Sequence, residues 1–212
     1  FVGRLVKEKG ISELMGSIKF MNKDINLYVA GDGPLKEKVV ILGKKYKNFV
    51  YLGLVDNTKM PIYYSAADIV IVPSYDETLG RVGMEALACS TPVIATDKGG
   101  IREVVSNDVG VLIDLSPKNI ANAINMLYKD KNKYNKMEKG AREKGQSVWE
   151  VAKYYEKDFW EAMDQLNVQR PHIVAHATEH IGEQIKLIEK LEKKGFTYLR
   201  DVPNTYNIPI IS

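Results

Sequence analysis

Pro73-Ser-Tyr-Asp-Glu-Thr-Leu-Gly-Arg-Val-Gly-Met-Glu85 is the stretch whose reading decides the fold. Just upstream, the isoleucines and valines at 69–72 read as a buried strand. Gly80 loosens the turn that follows, and Val82 to Cys89 has the composition of a buried helix. Glu77 therefore falls in the loop at the carboxyl end of a strand. Glu85 lies about a turn and a half into the next helix. In open α/β sheets that crevice is where ligands bind, and a helix N-terminus there attracts phosphate. Two carboxylates beside it suit a ligand with both hydroxyls and a diphosphate, as a sugar nucleotide has. As an isolated pair, the same two acids read equally well as solvated or ion-paired carboxylates.

Outward from this stretch, short apolar runs alternate with amphipathic segments. The strand candidates are Phe1–Leu5, Asn26–Ala30, Phe49–Leu52, Ile69–Val72, Val93–Ala95 and Val109–Ile113. Pro92 stands just before the fifth, where its missing N–H costs the sheet least. Ile11, Leu14, Met15 and Ile18 follow the spacing of one helix face, and Ile120, Ala123, Ile124 and Leu127 repeat it. This alternation predicts a Rossmann-like α/β domain, a parallel sheet with helices on both faces. After about residue 157 the pattern changes. Trp149 to Met163 reads as an aromatic-rich helix, and 167–177 with Pro171 as a loop. Thr178 has the look of an N-cap for a helix faced by Ile181, Ile185, Ile188 and Leu191, which Gly195 would stop. This tail, 158–212, is a short helical appendage.

With 212 residues, 45% of them apolar and 27% charged, the chain is an ordinary globular protein of one domain and part of another. Its net charge of +3 is too small to imply nucleic acid. Lys and Arg crowd between Lys129 and Lys144, but Asp130, Glu138 and Glu143 interrupt them. A solvated helix face is the plain reading there, and an anionic peripheral membrane contact is the alternative. The lone Cys89 sits in an apolar run and reads as a small core residue. It cannot form an internal disulfide, and no segment is apolar enough to span a membrane, so a cytoplasmic setting is expected. The chain opens on Phe1 inside an apparent strand, without an initiator Met, and is expected to be a piece of a longer protein.

Three further segments fall at strand ends. Phe1-Val-Gly-Arg-Leu-Val-Lys-Glu-Lys-Gly10 places Gly3 where backbone can approach a ligand. Arg4 and Lys9 follow, a fork and a point charge that can grip a diphosphate. Surface cations on a plain loop are the bland reading. Gly31-Asp-Gly-Pro34 lacks the third glycine of the dinucleotide fingerprint and reads as a turn, with Pro34 starting a helix. Gly53-Leu-Val-Asp-Asn57 offers backbone at Val55 to a base, or simply a turn with Asp56 or Asn57 as a helix cap. Asp97-Lys-Gly-Gly100 is another turn into a helix.

Together these segments give an ordered set: the Gly-Arg-Leu…Lys-Gly opening, Gly-Asp-Gly-Pro, Ala-Asp-Ile-Val-Ile-Val-Pro-Ser at 67–74, the Glu-x7-Glu pair, and Thr-Pro-Val-Ile-Ala…Gly-Gly at 91–100. With this set, residues 1 to about 157 resemble the donor-binding, C-terminal half of the family 4 glycosyltransferases, retaining enzymes of the GT-B fold. The resemblance implies that Arg4 and Lys9 hold the donor diphosphate, Glu77 the sugar hydroxyls and Glu85 the ribose. It further implies that backbone near Leu79, Gly80 and Arg81 meets phosphate or sugar, and that Val55 meets the base. The donor is then a nucleotide sugar carrying a hexosyl group, and the acceptor is undefined. No Asp-x-Asp occurs, so no metal or other cofactor is expected. A GT-B enzyme also needs an N-terminal acceptor domain, so this chain should bind a donor and be inactive without that partner.

The tail resembles a different family. Leu166-Asn-Val-Gln-Arg-Pro171, Ala177-Thr-Glu-His-Ile181 and the run to Tyr198 are similar to an internal stretch of cysteinyl-tRNA synthetase. Neither nucleotide-binding signature of that family is present, so aminoacylation is not implied. A fusion, an artefact, or a non-catalytic interaction module with a recruiting tail are the alternatives this leaves. His172, His176 and His180 share a spacing of four, but Pro171 and the expected cap at Thr178 keep the first two off the helix. They are not read as a metal site.

Overall fold

Along two neighbouring strands, β3 (Val70–Val72) and β4 (Val93–Thr96), successive side chains enter two different cores. The computed structural model describes residues 1–144, 148–176 and 179–197. The expected cap at Thr178 and the segment 198–212 lie outside the described residues. Val70, Val72, Val93 and Ala95 join one core, with Tyr64, Ala86, Leu87 and Ile101. Ile71 and Ile94 join the other, with Leu14, Val29, Ile120 and Leu127. A strand's side chains alternate between faces, so both faces of this sheet are covered. That explains the near-continuous apolar runs in the sequence.

Two parallel sheets form. β1 (Leu27–Ala30) pairs with β2 (Phe49–Gly53), with Leu27 opposite Phe49. β3 pairs with β4, and β4 with β5 (Gly110–Ile113), with Val70 opposite Val93 and Val93 opposite Gly110. The opening segment differs from expectation. Phe1–Leu5 is not a strand but a single parallel bridge, Val2 to Ala30, beside β1. After it the backbone is drawn off into loop contacts. The Leu5 N–H donates to the Asp32 carbonyl, and the Lys7–Lys9 turn follows at once.

Helices α1 (Ile11–Ser17), α2 (Lys36–Lys45) and α6 (Pro117–Lys129) supply residues to the core that holds Ile71 and Ile94. α3 (Met60–Ala66), α4 (Arg81–Ala88) and α5 (Ile101–Val104) cover the opposite face. α6 starts where local chemistry says it should. The Ser116 hydroxyl accepts from the Asn119 N–H, and Pro117 fills the first turn. Pro34 behaves differently from expectation. It lies in the turn before α2, whose first helical residue is Lys36. α7 (Lys131–Lys144) buries Met137 and Ala141 and leaves Lys139 and Glu143 paired on its exposed side.

The chain divides into two compact units, Phe1–Tyr154 and Tyr155–Ser212, and the division falls inside α8 (Val148–Gln165). In the second unit, a loop after α8 leads to α9 (Ile181–Lys193), which buries none of its residues. Gly195 follows it in the left-handed conformation that ends helices. Arg170 pairs with Asp164, and His176 lies between Glu156 at 2.8 Å and Glu179 at 3.3 Å. Those two carboxylates, Glu156 above all, raise the His176 pKa above 6.5. Among the described residues no group of three or more His, Cys, Asp and Glu is placed to hold a metal ion.

Candidate functional site

Backbone hydrogen bonds lace the loops at the carboxyl ends of the strands into one rim. The Gly31 N–H donates to the Gly53 carbonyl (2.7 Å), joining the β1 and β2 loops. Leu5 donates to Asp32 (2.8 Å) and Leu35 to Leu5 (3.0 Å), joining the β1 loop to the opening segment. Tyr75 donates to Glu8 (2.9 Å), and Gly100 to Glu77 (2.8 Å), which carries the rim to the β3 and β4 loops. The chain thus runs from its opening segment through β1 and β2 in one sheet, then through β3, β4 and β5 in the other. The loop of the opening segment and the β3 loop meet at the carboxyl ends of these strands, where an α/β fold leaves a crevice.

The loops meet closely because glycine stands where they touch. A Cβ on Gly10, whose φ is 67°, would lie 1.7 Å from the Pro73 carbonyl oxygen. One on Gly100 would lie 2.0 Å from the Thr78 oxygen, and one on Gly99 would lie 2.2 Å from the Glu77 oxygen. The β3 loop is therefore gripped from both sides.

In the crevice the Lys9 ammonium meets the Glu77 carboxylate, Nζ to Oε2, at 2.8 Å. The buried Ser74 hydroxyl donates to the same oxygen at 2.9 Å. The pair is partly buried, with side-chain exposures of 30% and 15%. A charge pair in that setting is only weakly screened by salt. Alongside, the Tyr75 hydroxyl donates to Glu13 Oε1 at 2.6 Å, and Glu13 Oε2 is buried without a hydrogen-bond partner.

Glu85 is held on α4 by other neighbours. The Tyr64 hydroxyl donates to its Oε2 at 2.7 Å, and Arg81 Nε lies 3.5 Å from its Oε1. Gly80, at φ 69°, opens α4, and a Cβ there would lie 2.2 Å from Ile101 Cδ1. The first N–H groups of α4 have no intrahelical acceptor, since the Met84 N–H is the one that bonds to the Gly80 carbonyl. Leu79 beside them is half exposed.

The structure joins Lys9 directly to Glu77. Arg4 stays exposed on the opening loop and, among the described residues, takes part in no ion pair. Val55 packs on the core cluster that contains Tyr64. Asp56 is the cap of the turn after it, accepting from the Thr58 N–H at 2.8 Å. Sequence reasoning passed over Ser74 and Tyr64. Ser74 lies inside the deciding stretch but reads as loop filler. Tyr64 lies in an apolar helical run, where an aromatic reads as core. The cavity of about 550 Å³ between β1 and β3 opens elsewhere, at the amino ends of the strands around Tyr28 and Ile69, and neither Lys9, Glu77 nor Glu85 lines it.

Residues 1–144 match the family model described as glycosyl transferases group 1. Residues 116–208 match a second, the class I (C) tRNA synthetase catalytic domain. A D-inositol 3-phosphate glycosyltransferase of Xylanimonas cellulosilytica is 33% identical over 152 residues, 67% of this chain and 36% of the relative. The crystal structure of Anabaena HepE in complex with UDP-glucose superposes with a TM-score of 0.58 and 27% identity, over 66% of this chain and 42% of that one. The tail is similar to the cysteine–tRNA ligase of Treponema denticola, 49% identical over 65 residues, which are 31% of this chain and 13% of the ligase. The chain spans about a third of the length of the curated glycosyltransferases it matches.

Proposed function

Because the chain belongs to the glycosyl transferases group 1 family, we propose that its crevice at Lys9, Glu77 and Glu85 binds a nucleotide sugar. In the same reading a facing acceptor domain completes a retaining hexosyltransferase, and this chain alone is inactive. The observation that carries the reading is the Lys9–Glu77 contact at 2.8 Å, made where the opening loop meets the loop at the carboxyl end of β3. Without a ligand, cation and carboxylate neutralise each other. A diphosphate offers Lys9 a denser negative charge, and Glu77 is then released to accept hydrogen bonds from sugar hydroxyls. The two ends of one ligand thus replace the two halves of one ion pair.

Arg4, exposed on the same loop, adds a forked contact to the diphosphate. The unpaired N–H groups at the start of α4, beside Leu79, Gly80 and Arg81, face negative charge favourably. Glu85 accepts from the ribose, and the base lies against Val55. When the sugar leaves, charge develops on the departing nucleoside diphosphate, and Lys9, Arg4 and the α4 N-terminus stabilise it by fixed electrostatics, without a metal. The Anabaena relative crystallised with UDP-glucose supports this ligand class. Calorimetric titration of the folded chain with UDP-, GDP- and ADP-sugars tests it. At least one should bind at or below millimolar concentration, and no binding by any of them overturns the reading.

A further inference from the structure

Tyr64 is the buried polar tip nearest the site that the reading above leaves without a role. Its residue is 2% exposed and packs among Val72, Ala86, Leu87 and Ala95. The Thr91 hydroxyl donates to its carbonyl at 2.7 Å, tying the end of α3 to the turn before β4. From this fixed base its hydroxyl crosses to α4 and donates to Glu85 Oε2 at 2.7 Å. Burial first, and the bond to Glu85 second, raise the hydroxyl's pKa far above its ordinary value. It stays protonated and can only donate to the carboxylate.

The two oxygens of Glu85 are thereby distinguished. Oε2 is taken by a buried donor, while Oε1 turns toward the exposed Arg81 and solvent. A glutamate carboxylate otherwise rotates broadly about its last torsion. We propose that Tyr64 is a positioning residue for nucleotide recognition: it locks the Glu85 carboxylate so that Oε1 faces the ribose hydroxyls of the donor. This rests on the nucleotide-sugar reading and adds to it the residue that sets how well a ribonucleotide is told from its deoxy counterpart. Val55 packs on the same core cluster as Tyr64. One rigid group therefore stands behind both the base edge and the ribose contact.

The test compares ligands with and without the hydroxyls. The whole chain is titrated with whichever of UDP, GDP and ADP binds best, and with the 2′,3′-dideoxy form of that nucleotide. Tyr64→Phe keeps the ring and removes only the donor. Glu85 is partly open, so water can meet Oε2 and the variant should fold. It should bind the ribonucleotide about three- to tenfold more weakly, the range expected for one hydrogen bond. Binding of the dideoxy form should be unchanged. Tyr64→Met, which fills the buried space without a hydroxyl, is the second variant and should show the same split. Equal losses for both nucleotides would mark Tyr64 as packing alone, and no loss for either would mark the contact as incidental. Both results overturn the proposal. The underlying reading fails separately, if wild type binds the ribo and dideoxy forms equally and Glu85→Gln changes neither.

Discussion

At the residue scale, the proposed contacts divide by which part of the ligand they touch. Arg4→Ala and Lys9→Ala should weaken a bare nucleoside diphosphate and its sugar nucleotide alike, since both carry the phosphates. Glu77→Gln should part the two ligands. It should cost the sugar nucleotide about 1.5–3 kcal/mol, the worth of hydrogen bonds to a charged group. The bare diphosphate should bind as well as before or somewhat tighter, because the variant no longer holds Lys9 at 2.8 Å. Paired titrations of the two ligands measure this directly. Equal losses at Glu77 would show that its partner is not the sugar. That competition for Lys9 was not legible in the sequence. Glu77 and Lys9 are separated by 68 positions, and no local pattern says that their tips meet.

The elements were legible because their signals are local. Short continuous apolar runs at 69–72 and 93–95 gave β3 and β4, and the spacing of Ile120, Ala123, Ile124 and Leu127 gave α6. The opening strand failed because its residues are claimed by the Asp32 loop, a tertiary contact that overrides apolar composition. The glycines of 99–100 read as a turn. Their larger role, making room for the β3 loop, depends on a neighbour that the sequence does not name. Gly100→Ala tests it. The added methyl meets the Thr78 oxygen at 2.0 Å, and overpacking of this kind costs about 1–3 kcal/mol. The Gly100 backbone has ordinary negative φ, −73°, so any loss is steric. Gly182→Ala, where nothing stands within 4 Å, is the control and should not lower stability. Denaturant midpoints measure both, and equal effects would rule out the contact as the cause.

At the scale of the whole molecule, two resemblances share one chain, and their tertiary support differs. Phe1–Tyr154 holds both hydrophobic cores, whereas α9 buries nothing and leaves Ile181, Leu187 and Ile188 exposed. Chain with few buried contacts opens and is cut first. Limited proteolysis should trim the tail back to about Tyr155 while nucleotide binding is retained. A tail that resists cleavage, or binding lost with it, would make it part of the working protein. The sequence by itself determined the alternating α/β plan, the glycosyltransferase family of its first part and the presence of a second resemblance in the tail, although that second match begins at residue 116 and not near 158. Those follow from short apolar runs, from the helical period of 3.6 and from motif order, which are written along the chain. Only the tertiary structure decided that Lys9 and Ser74 share one oxygen of Glu77 and that Tyr64 claims one oxygen of Glu85. Such contacts are made where separate loops and helices converge, and the side-chain directions that complete them are set by packing, not by neighbours in sequence.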